Sequence, residues 1–145
     1  MDNINNKYDV SFRISGNIKS INFINKTLKI SPDYYYDTGS KIGMKNDKMV
    51  KRGDLRPGIW GISSSSTTDK IPTLIENMLI KLRPLKKELL ELKSEGLKLD
   101  FFCGYFADDI VGGISIPSKL LMEIGLLGID FELSFYYHIK RDSTE

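Results

Sequence analysis

Leu97, Leu99, Phe101, Cys103 and Tyr105 alternate with Lys98, Asp100, Phe102, Gly104 and Phe106. A period of two sustained over this stretch commits it to a β-strand, because successive side chains of a strand point to opposite faces. The second face turns apolar midway, which predicts a central strand covered on both sides at one end. Two other runs share the period. Tyr8, Val10, Phe12 and Ile14 alternate with Asp9, Ser11 and Arg13, and Phe131, Leu133, Phe135, Tyr137 and Ile139 form the last alternating run. Strands with one apolar face need a sheet and something apolar to cover it.

The cover is legible as helices. Ile18, Ile21, Ile24 and Leu28 fall on one helical face, with Asn17 suited to cap it and Ser31-Pro32 to stop it. Ile71, Leu74, Ile75, Met78, Leu79 and Leu82 make a wider stripe, with Thr68 or Asp69 as cap and Pro72 tolerated in the first turn. Pro84 should end or kink this helix, and Leu85, Leu89 and Leu92 extend the pattern to Gly96. Pro117-Ser118 opens a third helix through Leu120, Leu121, Ile124 and Leu127, closed by Gly128.

The connections carry weaker signals. Tyr34-Tyr35-Tyr36 is rich in strand-preferring residues, and the polar stretch from Asp37 to Lys48 reads as a loop or an irregular hairpin. Ile59 to Ser64 reads as a strand with Trp60 and Ile62 on one face, passing through Ser63 to Thr68 into a flexible connection. Ala107-Asp108-Asp109 to Gly112-Gly113 has the turn chemistry of a hairpin or a long bulged loop, with Ile114 and Ile116 beginning the return strand. The order predicts an α+β fold: one mainly antiparallel sheet with helices packed on one face. Strand–helix–strand units at both ends suggest a duplicated ferredoxin-like arrangement. A chain of 145 residues can bury a single core, placed here at residues 8–140, with a flexible tail at 1–7 and a polar one at 141–145.

A net charge of +2 is too small to point to nucleic acid or an acidic membrane as partner. No apolar run approaches the roughly 20 residues of a membrane span, and Met1 to Asn6 lacks the regions of a secretory signal. One cysteine cannot form an internal disulfide, which suits a reducing compartment. A cytoplasmic protein is expected.

Catalytic chemistry finds little to use. The only histidine, His138, and the only cysteine, Cys103, lie on different strands with no spacing that asks for a dyad. One His and one Cys cannot close a zinc site. Asp108 and Asp109, with Asp100 upstream, lack the ligand alternation of a calcium loop and read as turn formers. Gly112-Gly113 precedes a strand, so it is not a phosphate fingerprint. Glu76, Glu88, Glu91 and Glu95 interleave with Lys81, Lys86, Lys87 and Lys93 as a solvated helix face. No catalytic residue, metal ligand or cofactor is expected, and the reading is non-enzymatic.

One stretch stands apart. From Lys41 to Arg56 six cations face only Asp47 and Asp54, and Lys51-Arg52-Gly53-Asp54-Leu55-Arg56-Pro57-Gly58-Ile59-Trp60 adds the single tryptophan. Arginine offers a rigid fork to a carboxylate or phosphate, and Arg and Trp are enriched at interface hot spots. Lys51, Arg52, Arg56 and Trp60 are therefore the candidate binding residues, with Tyr34, Tyr35 and Tyr36 as further stacking surface. A lone strand tryptophan is more often core, and a charged loop more often solvated. Arg52-Gly53-Asp54 spells an integrin tripeptide, a coincidence in a chain without a secretion signal. The expected partner is another protein; a small anionic ligand or nucleotide on the same loop is the alternative.

Phe12-Arg13-Ile14-Ser15-Gly16-Asn17, the helix into Leu28-Lys29-Ile30-Ser31-Pro32-Asp33, and Arg52-Gly53-Asp54 through Gly58-Ile59-Trp60-Gly61-Ile62-Ser63-Ser64 resemble one family. So do Phe101 to Tyr105, Asp108-Asp109, Gly112-Gly113, Ile114-Ser115-Ile116 and the helix through Leu121 to Leu127. Together they resemble the bacterial family known as domain of unknown function 4279, from about Tyr8 to Tyr136. That family brings no established activity and transfers no site. The resemblance implies a small bacterial protein, of a type that often serves as an immunity protein masking a toxin.

Overall fold

Val10, Phe12 and Ile14 are fully buried, and the strand that carries them, β1 (Lys7–Gly16), is paired on both sides along its length. The computed structural model describes residues 6–53, 55–108 and 112–137. β5 (Gly58–Ser66) and β6 (Lys98–Ala107) flank β1 antiparallel, so that Phe12 lies between Ile62 and Phe101. β2 (Tyr34–Tyr36), β3 (Ile42–Lys45) and β4 (Lys48–Lys51) extend the sheet beyond β5, and β7 (Asp130–Tyr137) closes it beside β6. The strand order is β4-β3-β2-β5-β1-β6-β7, antiparallel except for β6 and β7. α1 (Ile21–Leu28), α2 (Ile71–Leu82), α3 (Lys86–Ser94) and α4 (Ser118–Leu126) supply the other half of the core. This is the α+β sheet with helices on one face that the alternation predicts.

Local chemistry sets the element boundaries. Ser20, not Asn17, caps α1, its hydroxyl accepting from the Phe23 N–H at 3.3 Å. Lys29 ends that helix in the left-handed region, at φ 56°. Neither Thr68 nor Asp69 caps α2; the N-cap position is Lys70, without a side-chain bond. The Thr68 and Asp69 N–H groups instead donate to the Ser66 hydroxyl, so the serine run ends in a hydrogen-bonded turn. Pro84 falls in a short 3-10 turn, Arg83–Leu85, that joins α2 to α3. That is the interruption expected where a residue lacks an N–H to donate. Arg83 pairs with Glu76 of α2 and Glu123 of α4 across the helical surface.

The connections differ in detail from expectation. The polar stretch before the loop is regular: β3 and β4 form a hairpin turning at Asn46 and Asp47, both at positive φ (49° and 62°). No strand forms at Ile114 and Ile116; residues 112–117 have no regular structure, and both isoleucines pack half-buried against the core. The return to the sheet comes only after α4, as a parallel crossover into β7. β6 is central, as expected, and on its second face Asp100 and Gly104 are buried and Phe102 half-buried, with no helix packed there among the described residues. Phe102 lies under the Arg13 guanidinium, 4.2 Å from Cζ to the ring centroid, and Phe106 stacks on Tyr136 at 4.8 Å and 11°. The two strand–helix–strand units also differ, since β5 separates β1 from β2 whereas β6 and β7 are adjacent.

Cys103 is fully buried on the core face of β6, opposite Val10. Burial, assisted by the nearby Asp100 charge, pushes its thiol up to about 12. A thiol that stays protonated in the native state contributes stability below its unfolded pKa of about 8.5, and that contribution is lost as pH rises toward the folded value. Iodoacetamide at about pH 8 should leave Cys103 unmodified in native protein and alkylate it in denaturant, as read by intact mass. Rapid native alkylation would contradict the packing described.

Candidate functional site

The strand alternation that buries Val10, Phe12 and Ile14 sends Asp9, Ser11 and Arg13 to the opposite face of the sheet. Register brings Ser63 and Ser65 of β5 and Phe102 of β6 beside them, and Tyr34 and Tyr36 of β2 beyond Gly61 and Ile59. Among the described residues no helix packs on this face. Two glycines shape it. A Cβ on Gly61 would collide with the Tyr34 ring, and one on Gly43 with the Tyr36 ring, so both tyrosines lie flat against bare backbone. A cleft of about 350 Å³ results, with Tyr34 and Lys45 on one wall, Arg13 and Phe102 on the other, and Ser11 and Ser63 in the floor.

Arg13 is the organising charge. Its Nε and Nη2 donate to the two carboxylate oxygens of Asp100 at 2.9 and 2.6 Å, and Nη2 also reaches Glu132 at 3.2 Å. The Asp100 hydrogen bonds raise the Arg13 pKa further, against the cost of burial. Asp100 is 1 % exposed, the only buried charged residue among those described. The bidentate pair, with Phe102 beneath, fixes the guanidinium plane and leaves Nη1 without a partner among the described residues. Burial raises the Tyr34 hydroxyl pKa, opposed by the Ser11 hydroxyl and the Arg13 charge. At the cleft's far end the Asp9 Oδ1 is shielded from solvent and accepts no hydrogen bond; Lys7 Nζ is 3.9 Å away.

The residues singled out in the sequence are dispersed by comparison. Trp60 is fully buried, its indole N–H donating to Asn25 Oδ1 at 2.8 Å and its ring edge-on to Phe12. It sits on the helix-covered face and cannot stack on a ligand, which corrects its place in the candidate set. Arg52 is a staple. Its Nε donates to the Ser40 carbonyl at 2.8 Å, Nη1 to Pro57 at 2.7 Å, and Nη2 to Arg56 at 2.7 Å and Asp37 at 3.3 Å. Four of its five N–H donors thus hold backbone, and its guanidinium stacks on Tyr36 at 4.8 Å. Lys51 is exposed at the end of β4, and Arg56 is exposed with its carbonyl engaged by Arg52. Of the three tyrosines, Tyr34 and Tyr36 face the cleft and Tyr35 faces the core side, packed against the hydrophobic cluster.

Asp108 is exposed, its N–H donating to Asn6 Oδ1 at 3.1 Å. Asp54, Asp109 and His138 lie outside the described residues. Among those described, no group of three or more His, Cys, Asp or Glu residues is placed to hold a metal ion, and no helix is long and apolar enough to cross a membrane. The Arg13–Asp100 pair joins residues 87 apart and has no local signature. The signal that could have found it is register: once Phe12 faces Phe101, Arg13 must face Asp100.

The sequence profile of a family described as domain of unknown function (DUF4279) matches residues 6–138, nearly the whole chain, and the chain belongs to that family. No curated protein and no solved structure matches it.

Because Arg52 ties β4 and the turn before β5 to residues 37–40, Arg52→Lys should lower stability by about 2 kcal/mol; a lysine cannot reproduce the fork. Lys51→Ala should stay within about 0.5 kcal/mol. Urea denaturation of both variants checks this. Equal stabilities would show that the arginine bonds do not hold the loop.

Proposed function

We propose that this member of the DUF4279 family is a non-enzymatic binding module whose uncovered sheet face receives another protein. The observation that carries the reading is the composition of that face. Half-buried Tyr34, Tyr36 and Phe102 line the cleft with a fixed Arg13, and exposed Phe106 and Tyr136 stack farther along the same face beside Lys7; aromatics together with arginine are what interface centres are made of. The rings are held rigid by glycine contacts and stacking before any partner arrives, so little side-chain entropy is lost on association. Masking of a toxin or other target is a role such a face would serve. The loop of Lys51, Arg52 and Arg56 borders the face through the stacking of Arg52 on Tyr36, and acts in this reading as its support.

The test is affinity capture from lysate of the source cell, with Ser11→Arg and Ser63→Arg blocking the face and Leu90→Arg on exposed α3 as control. All variants are checked for native circular dichroism. A protein retained by wild type and by Leu90→Arg, and weakened about tenfold or more by the two serine variants, is the expected outcome. A protein lost only with Leu90→Arg would move the interface to the helices and sink the reading.

A further inference from the structure

β5 is a full-length strand on one side and a half-used one on the other. Toward β1 it is paired from Gly58 to Ser66; toward β2 only Ile59, Trp60 and Gly61 have partners. The chain leaves the sheet edge at Asp33, whose N–H donates to the Gly61 carbonyl and whose carboxylate accepts from the Ser63 N–H, both at 2.8 Å. Those two bonds identify the outward-pointing groups, and a strand's period of two extends them: the Ser63 carbonyl and the Ser65 N–H and carbonyl point the same way. Among the described residues none of these three has a hydrogen-bond partner. Ser63 and Ser65 are both exposed. A stretch of open strand edge therefore lies within the sheet, beside the cleft, where β2 stops short.

The cleft adds a charge requirement. Asp9 is the register partner of Ser65 across β5 and β1; its side chain is about one-third exposed, and its Oδ1 accepts no hydrogen bond although Lys7 Nζ stands 3.9 Å away. A buried carboxylate oxygen without a donor is uncommon in a finished site. A strand added outside β5 would run two strand spacings, about 9.6 Å, from β1. A lysine or arginine side chain and the aspartate together span that distance, and only the small Ser65 hydroxyl lies in the path.

We propose that the β5 edge at Ser63–Ser65 takes up an extended polypeptide segment as an added strand, with a lysine or arginine of that segment crossing Ser65 to meet Asp9. Main-chain bonds to Ser63 and Ser65 hold the segment, and the cation-to-Asp9 contact selects it, the division of labour of strand addition. The free edge accommodates three to five residues of the partner, at about 3.3 Å each. The proposal rests on the reading that the open face binds protein, and names which part of a partner enters and by what chemistry.

The experiment is selection of a phage-displayed random dodecapeptide library on the full chain, followed by titration of the selected peptides into 15N-labelled protein. The expected result is enrichment of peptides with a shared Lys or Arg and a shift of the Ser65 amide. Affinity should fall about tenfold in Asp9→Asn, and likewise in Ser65→Pro, which removes an N–H the β1 ladder does not use. Asp9→Asn and the amide shift in unmodified protein keep the test valid should the proline variant misfold. Peptides that shift Ser11, Tyr36 and Phe102 but leave Ser65 unmoved overturn strand addition while the face reading stands. Peptides that shift none of these, or a library that yields no binder, overturn the proposal, and the capture experiment above then decides the face reading separately.

Discussion

The in-register pairing of β1 with both β5 and β6 is the constraint from which the other features follow. Phe12 must face Ile62 and Phe101 at once, and Ile14 must face Trp60 and Leu99. A slip of one residue in either ladder would turn Val10, Phe12 and Ile14 to water and Asp9, Ser11 and Arg13 into the core. Burying a large apolar side chain is worth about 1.5–3 kcal/mol, so three such inversions cost about 4.5–9 kcal/mol, comparable with the 5–15 kcal/mol stability of an ordinary domain before the cost of burying Arg13 is added. Register is thereby fixed without help from turns, and the loops are released for other uses.

The same register creates the polar face. With Phe12 opposite Phe101, Arg13 falls opposite Asp100 and the pair is made without any local preference for it. A carboxylate 1 % exposed is tolerable only while its cation is in place; removing one partner of such a pair costs about 3–5 kcal/mol. The pair therefore contributes little net stability over an apolar substitute but makes the position of Arg13 non-negotiable. Phe102 beneath the guanidinium and Glu132 beside it restrict the remaining freedom. A charge fixed in this way is preorganised for a partner, whereas a solvated surface arginine must be ordered on binding.

Legibility in the sequence tracked the range of the forces involved. β1, β6, β7 and the stripes of α1 and α2 are visible because burial of one face leaves a period of 2 or 3.6 in the residues themselves. The β3–β4 hairpin left no such mark: its turn uses Asn46 and Asp47 at positive φ, and its strands, Ile42–Lys45 and Lys48–Lys51, are too short for alternation to show. Ile114 and Ile116 alternate like a strand, yet they pack on the core from irregular backbone, since two residues of matching parity do not demand a ladder. The candidate site was least legible, because Arg13, Asp100, Tyr34 and Ser63 meet only through the pairing of four separate strands.

The basic–aromatic loop shows why residue type alone misassigns a surface. Arginine and tryptophan are enriched at interfaces because each combines a large apolar body with hydrogen-bond donors, and the same combination suits them to join a loop to a core. Trp60 spends its indole N–H on Asn25, and Arg52 spends four donors on the carbonyls of Asp37, Ser40, Arg56 and Pro57. What separates the two uses is whether the donors are already engaged. By that criterion, among the described residues, the face across the sheet from Trp60 leaves hydrogen-bonding capacity at the Nη1 of Arg13, the Oδ1 of Asp9 and the outward edge of Ser63–Ser65. A partner that supplies an acceptor, a cation and a strand edge would complete all three at once, and a partner lacking any of them would leave a desolvated polar group behind, at about 1–3 kcal/mol each.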